Sequence, residues 1–130
     1  MSGFDFGSVT LEPEGYVVVA LVGDQTYQTV DALCRETLKF VDNLNLNQKP
    51  LVGLVDLSRQ TGFNTGSNKA ALESLTKVEY DRAALVSDNK LFGELAKAII
   101  KALGKDDKTK FFRTREEAVP WLLMKDPMKG

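Results

Sequence analysis

The sequence alternates short, continuous apolar runs with longer stretches in which apolar residues recur every three or four positions. The clearest run is Leu51–Val55, which stops at Asp56-Leu57-Ser58; a polar turn then leads to a helix predicted to begin near Asn64–Ser67. A continuous apolar run is typical of a strand that is covered on both faces, as in a parallel sheet. Because strands that alternate with helices favour a mainly parallel sheet with right-handed crossovers, the pattern predicts an α/β fold.

The same patterns predict nine elements in the order β-β-α-β-α-β-α-β-α. They would form a mixed, mainly parallel sheet of about five strands, with the helices packed chiefly on one side and the first two strands paired as a hairpin. The predicted strands are 4–11, 16–22, 51–57, 82–86 and 110–113. The predicted helices follow residues that can cap them, namely Asp24-Gln25-Thr26, Asn64–Ser67, Ser87-Asp88-Asn89 and Thr114.

The length of 130 residues predicts a single domain, 1–130, with a core at about 8–123 and a flexible tail at 124–130. Gly104 follows the third helical stripe and is predicted to end that helix in the left-handed conformation. Pro120 lies inside the fourth helix, where it removes a backbone hydrogen bond, and therefore predicts a kink.

Composition argues against several classes of protein. The net charge is −1, from 17 basic and 18 acidic residues, whereas nucleic-acid binders usually carry a basic excess. The chain has no histidine, which removes the commonest general base, the Ser-His triad and the usual zinc ligand. Cys34 is the single cysteine and lies in a helical apolar stripe, so a buried hydrophobic role is predicted. No cofactor is predicted.

Two further sequence observations concern membranes and export. The longest apolar run, Tyr16–Val22, is too short to span a bilayer. Met1–Gly15 lacks the basic region and the following apolar region of a secretory signal. A cytoplasmic protein without a transmembrane segment is therefore predicted.

Polar residues follow the predicted parallel strands. Because the carboxyl ends of parallel strands meet at one edge of a sheet, these residues predict an edge that binds a ligand or a partner. The residues are Asp24, Thr26, Asp56, Ser58, Ser87 and Asp88. The same residue types also cap helices, so capping is the alternative interpretation of each one.

Two smaller groups support other hypotheses. Carboxylates at the same edge, those of Asp24, Asp56 and Asp88, could together hold magnesium and serve a metal-dependent enzyme. Phe111, Phe112 and Trp121 could line an apolar ligand pocket, although aromatic residues on a strand and the next helix are more often part of the core.

Two segments of the chain resemble the SpoIIAA-like, or STAS, family of small domains related to sporulation anti-sigma-factor antagonists. They are VGLVDLS at 52–58 and KFFRTREEAVPWLL at 110–123, and the resemblance extends over about residues 8–123. The second segment is similar to an uncharacterised bacterial branch of that family. More distantly, the predicted fold is similar to CRAL-TRIO lipid-exchange domains.

The resemblance implies a non-enzymatic module that binds a protein partner. It also implies phosphorylation at the start of the helix after the third strand, where Thr65 and Ser67 are the nearby hydroxyls in register. The acidic residue and the Gly-Leu pair of the family's phosphorylated segment are not reproduced here. A carrier of a small apolar or lipid-like ligand is the second hypothesis, and a magnesium-dependent enzyme is the third. The first strand, as an exposed edge, would also permit a homodimer.

Overall fold

The structure contains six strands and four helices. The computed structural model describes residues 2–46 and 50–124. The strands are β1 (Ser2–Phe4), β2 (Gly7–Leu11), β3 (Val17–Asp24), β4 (Val52–Gly62), β5 (Arg82–Val86) and β6 (Thr109–Phe112). The helices are α1 (Tyr27–Asn43), α2 (Thr65–Lys77), α3 (Lys90–Leu103) and α4 (Arg115–Leu123).

The strands form one sheet in which their spatial order is the same as their order in the chain. The pairs β1–β2 and β2–β3 are antiparallel, and the pairs from β3 to β6 are parallel. Because parallel crossovers share one hand, a chain that always moves on in the same direction places all of its crossover helices on one face. Helices α1, α2 and α3 are the crossover helices, and they share a face.

Alternate residues of the central strands face the two sides of the sheet. Val19 and Leu85 are both in register with Val55, and these side chains pack among the residues of α1, α2 and α3. The preceding residues of β3 and β4, Val18 and Leu54, pack instead against α4 on the opposite face. The prediction of a mixed, mainly parallel sheet with helices chiefly on one side is thus confirmed, with α4 as the exception.

The predicted strand 4–11 is two strands, which raises the strand number from about five to six. Asp5 and Phe6 form a turn between β1 and β2, and Phe4 is then the register partner of Gly7. The loose spacing of apolar residues in this segment does not reveal a turn. Gly7, which follows the turn, leaves no room for a Cβ beside Ala20 of β3 and Leu33 of α1, and both of these residues are remote in sequence.

The third predicted strand, 51–57, continues to Gly62. Asp56 and Ser58 therefore lie within β4 and not in a turn after it. The additional residues pair only with the end of β3, because the last register pair between β4 and β5 is Asp56 with Val86. This pairing with β3 is a tertiary contact that extends a polar segment as a strand.

The predicted helix ends agree closely with the structure. Thr26, Asn64, Asn89 and Thr114 are the four N-caps, and Gly104 ends α3 with φ of 65°. Helix α4 runs from Arg115 to Leu123 through Pro120. Pro120 has no N–H, so the carbonyl of Glu116, four residues earlier, lacks its helical hydrogen bond. Both residues are exposed, and water can therefore bind to that carbonyl. The predicted tail, apart from Met124, lies outside the described residues.

Among the described residues, none of the helices combines the length and the apolar character needed to cross a membrane.

Candidate interaction edge

The residues predicted to form the edge lie near the level at which β3 and β5 end, although Asp56 and Ser58 are within the longer strand β4. Asp24 is the last residue of β3, and Thr26 caps α1. Asp56 is level with the end of β5, and Ser58 lies two residues further along β4. Ser87 and Asp88 follow β5 directly. The six residues thus share an edge, where all except Asp88 belong to separate hydrogen-bonded groups.

Asp56 is the centre of the best-connected group. Its Oδ1 accepts hydrogen bonds from the Ser58 hydroxyl at 2.6 Å and from the Ser58 amide at 2.9 Å. Its Oδ2 accepts a hydrogen bond from Nη2 of Arg115, the first residue of α4, at 3.1 Å. The ion pair ties the end of β4 to the beginning of the helix on the opposite face of the sheet.

The surroundings of Asp56 lower the pKa of its carboxyl group. Partial burial alone would raise this pKa, but the hydrogen bonds from Ser58 and the interaction with Arg115 outweigh burial. All of these interactions favour the charged form of the carboxylate. The Asp56 side chain is 15% exposed and that of Arg115 is 42% exposed, so solvent screens the pair in part.

Replacing Asp56 by asparagine is expected to lower the free energy of unfolding at pH 7 by about 1 kcal/mol, because it removes the ion pair with Arg115. A carboxyl group whose pKa is lower in the folded protein stabilises the fold above its unfolded pKa of about 3.9. That contribution is lost as the pH falls through the folded pKa. The difference between wild type and variant should therefore shrink steadily below about pH 4, as measured by urea unfolding at a series of pH values.

Asp88→Asn is the matched control, since Asp88 is exposed and has no hydrogen bond or ion pair to any residue that the structure describes. Its free energy of unfolding should be almost the same as that of wild type at pH 7 and at pH 2. A difference between Asp56→Asn and wild type that persists undiminished at pH 2 would contradict a role for the Asp56 charge.

Other edge residues are engaged in local structure. The Thr61 hydroxyl donates to Asp24 Oδ1 at 2.7 Å. Thr26 caps α1 in a reciprocal box with Thr29. Ser87 is 1% exposed, and its Oγ accepts a hydrogen bond from the Asn89 amide at 3.1 Å. Thr26 thus carries the capping role that was the alternative interpretation of these residues, whereas Ser87 holds the amide of Asn89, the residue that caps α3.

The beginning of α2 presents two hydroxyls in different situations. Ser67 is 3% exposed, and its Oγ accepts from the Asn64 amide at 2.8 Å and donates to the Asn64 carbonyl at 2.9 Å. The Ser67 amide in turn donates to Asn64 Oδ1 at 2.8 Å. Thr65, the first residue of the helix, is exposed. Only Thr65 of this pair therefore offers its hydroxyl to solvent.

The three aspartates at the edge are not brought together. Asp56 is bound to Ser58 and Arg115, and Asp24 is bound to Thr61. Within residues 2–46 and 50–124, no group of three or more acidic, cysteine or histidine side chains could hold a metal ion. The magnesium hypothesis therefore has no site among these residues.

The predicted aromatic pocket is divided by the sheet. Phe112 and Trp121 pack together on the α4 side, with their ring centroids 5.6 Å apart. Phe111 faces the other side and packs against α3, where a Cβ on Gly93 would lie 2.9 Å from the Phe111 ring. Adjacent residues of a strand point to opposite faces, which is why the three rings cannot line one cavity.

A cavity of about 120 Å³ lies elsewhere, between the sheet and helices α1, α2 and α3. Its lining includes Val19, Val55 and Leu85 from the sheet and Ala71 and Leu75 from α2. An engineered cavity of about 150 Å³ holds benzene, whereas most small-molecule pockets measure about 300–1,000 Å³. The cavity is smaller than both of these, and the carrier hypothesis stays a prediction.

Sequence reasoning missed three residues, of which Gln25 and Arg115 help to build the site and Tyr80 packs near the amino ends of β4 and β5. Gln25 is 2% exposed, and its Nε2 donates to the carbonyls of Phe6 at 3.1 Å and Val22 at 2.9 Å. Tyr80 lies against β4, where a Cβ on Gly53 would be 2.3 Å from its ring; burial raises the pKa of Tyr80, and the nearby Cys34 adds to this. Arg115 was also missed. Its position beside a predicted helix cap was the one available signal.

The protein is a small α/β domain with sequential strand order, and a polar edge of its sheet lies beside the beginning of α2. No family model and no curated protein sequence matches this chain. Solved structures do match it. One is an uncharacterised DUF3478-family protein with a SpoIIAA-like fold from Shewanella loihica PV-4, with a TM-score of 0.65 and 19% identity over 94% of this chain and 98% of that one.

A second similar structure is the anti-sigma factor antagonist SpoIIAA in its unphosphorylated form. It has a TM-score of 0.54 and 14% identity, and the match covers 88% of this chain and 96% of that one. These likenesses confirm the predicted SpoIIAA-like fold. Neither of the two structures is described as a CRAL-TRIO domain, so that more distant resemblance stays a prediction.

Proposed function

We propose that this chain is a non-enzymatic regulatory module that binds a protein partner through the edge from Asp56 to Ser67. The observation that carries the proposal is the position of Thr65, an exposed hydroxyl at the first residue of α2 on a SpoIIAA-like fold. The solved SpoIIAA structure is described as an anti-sigma factor antagonist in its unphosphorylated form. By analogy, we infer that this chain binds its protein partner in the cytoplasm and that phosphorylation controls the binding.

The surroundings of Thr65 suit a switch better than those of Ser67. A phosphate on Ser67 would remove the hydrogen bond that its hydroxyl donates to the Asn64 carbonyl and would have to fit at a buried position, and so would disturb the cap of α2. A phosphate on Thr65 would add about −1.5 to −2 charges in solvent. It would lie at the positive end of the helix dipole, which stabilises negative charge. Modification of Thr65 would therefore preserve the helix while it changes the charge of the binding edge.

The test uses Thr65→Glu, which places a permanent negative charge at this position. The wild-type protein and the variant are immobilised at equal density and exposed to extract from the native host, and the bound proteins are identified and quantified. A partner that recognises the unmodified edge should bind Thr65→Glu at least about tenfold less, equivalent to about 1.4 kcal/mol. The helix should remain intact, because Glu is favourable in a first helical turn.

Thr76→Glu is the matched control. Thr76 is exposed near the other end of α2, so the variant makes the same chemical change on the same helix, away from the edge. The partner should bind it as it binds wild type. Equal capture of the partner by wild type, Thr65→Glu and Ser58→Ala would remove this edge from consideration as the binding surface.

A further inference from the structure

Charge is divided unevenly along the chain. Residues 2–46 contain seven acidic and two basic side chains, a net charge of −5. The acidic ones are Asp5, Glu12, Glu14, Asp24, Asp31, Glu36 and Asp42. Residues 90–113 contain seven basic and three acidic side chains, a net charge of +4. The basic ones are Lys90, Lys97, Lys101, Lys105, Lys108, Lys110 and Arg113.

The sequential strand order converts this division along the chain into a division in space. Residues 2–46 form β1, β2, β3 and α1, which occupy one end of the sheet and are called the acidic end here. Residues 90–113 form α3 and β6 at the other end, called the basic end. A chain with a net charge of only −1 therefore has two ends of strong and opposite charge.

The charge of the basic end is not neutralised within the domain. Among residues 2–46 and 50–124, none of its seven cations forms a salt bridge. Lys97 and Lys110 lie over the rings of Phe111 and Trp121, at 5.9 and 5.6 Å from the ring centroids, and not beside a carboxylate that the structure describes. Lys101 and Lys108 are exposed. The charge is therefore available to an acidic surface outside the domain.

Both ends also carry a free strand edge. In the sheet as the structure describes it, β1 pairs only with β2 and β6 pairs only with β5. Free edges invite pairing with another chain. Joining two acidic ends or two basic ends would bring like charges together, which opposes a symmetric contact. Joining a basic end to an acidic end is favoured, and since β1 runs parallel to β6, it would continue the sheet in the same direction.

We propose that copies of this chain associate head to tail, with the basic end of one copy against the acidic end of the next. Such a contact is heterologous, so it forms open chains unless a rotation closes a ring. It leaves the edge from Asp56 to Ser67 and the beginning of α2 free, and it does not depend on the function proposed above. The proposed contact joins two different edges, and the homodimer expected from the exposed first strand stays a separate prediction.

The first test is sedimentation velocity over a range of protein concentrations at low and high salt. Charges are screened over about 30 Å at 0.01 M salt and over less than about 10 Å above 0.1 M. The mean sedimentation coefficient should rise with protein concentration at about 10 mM salt, and association should weaken at least about tenfold at about 300 mM salt. A monomer under all of these conditions would overturn the proposal.

Paired charge reversals test which surfaces meet. Lys101→Glu/Lys108→Glu lowers the net charge of residues 90–113 from +4 to 0, and Glu12→Lys/Glu14→Lys raises that of residues 2–46 from −5 to −1. Each variant alone should stay monomeric at low salt, and an equimolar mixture should associate because each supplies the end that the other has lost. Lys69→Glu/Lys77→Glu makes the same charge change as the basic-end variant on exposed positions of α2 and should associate like wild type.

Two outcomes would refute the contact. One is a symmetric dimer that persists in both end variants, because it would use other surfaces. The other is a mixture of the two folded end variants that stays monomeric, because complementary charge would then not bring the ends together. Circular dichroism of each variant confirms that it is folded before it is compared.

Discussion

Gly7→Ala is expected to lower the free energy of unfolding by about 3 kcal/mol, the larger end of the range for overpacking and backbone strain. A Cβ at this position would lie 2.3 Å from the carbonyl oxygen of Ala20 and 2.8 Å from Cδ1 of Leu33. Gly7 also has φ of 157°, a conformation that other residues rarely adopt. Neither the β3 backbone nor the buried Leu33 can move away without disturbing the sheet or α1. Urea unfolding followed by circular dichroism measures the loss.

Gly3→Ala is the control for this substitution. Gly3 also lies on the two-stranded extension of the sheet, but a Cβ there would meet no atom within 4 Å. It should change stability by less than about 0.5 kcal/mol. If the two alanine variants were equally stable, the close approach of Gly7 to β3 and α1 would not constrain the fold.

Leu122→Ala is expected to cost about 3 kcal/mol of stability. Leu122 is 2% exposed and packs with Leu54 and Ala118 between α4 and the sheet. Helix α4 is the described helix that covers this face, so no neighbouring helix can fill the space that the leucine leaves. The measurement is again urea unfolding, with Trp121 fluorescence as a second signal from the same cluster.

Leu123→Ala provides a matched comparison one residue along the helix. Leu123 is 41% exposed, so the same change of side chain removes little buried surface and should cost less than about 1 kcal/mol. A loss for Leu122→Ala no greater than that for Leu123→Ala would show that α4 contributes little to the core.

Two parts of the candidate edge differ in how far apart in the chain their residues lie. The hydroxyl at Thr65 and the cap at Asn64 are local features, because a cap acts on backbone groups within one turn of helix. The ion pair between Asp56 and Arg115 joins residues 59 positions apart. It could not be predicted from either segment alone, and it requires α4 to return across the sheet beside β4.

The charge division shows the same relation between sequence and structure. The acidic and basic segments are visible in the sequence, but a count of charge along the chain does not say where each segment lies. Sequential strand order places the first segment at one end of the sheet and residues 90–113 at the other. In a sheet with reordered strands the same charges would be interleaved, and the two ends would not be complementary.

The α/β class, the alternation of strands and helices, and the four N-caps can be read from the sequence, because apolar periodicity and capping act over a few neighbouring residues. The extension of β4 to Gly62, the division of the first strand at Asp5 and Phe6, and the packing of Phe111 and Phe112 on different faces are visible only in the folded domain. These features arise from packing between segments far apart in the chain. Such packing depends on the shape of the whole domain, which no local pattern contains.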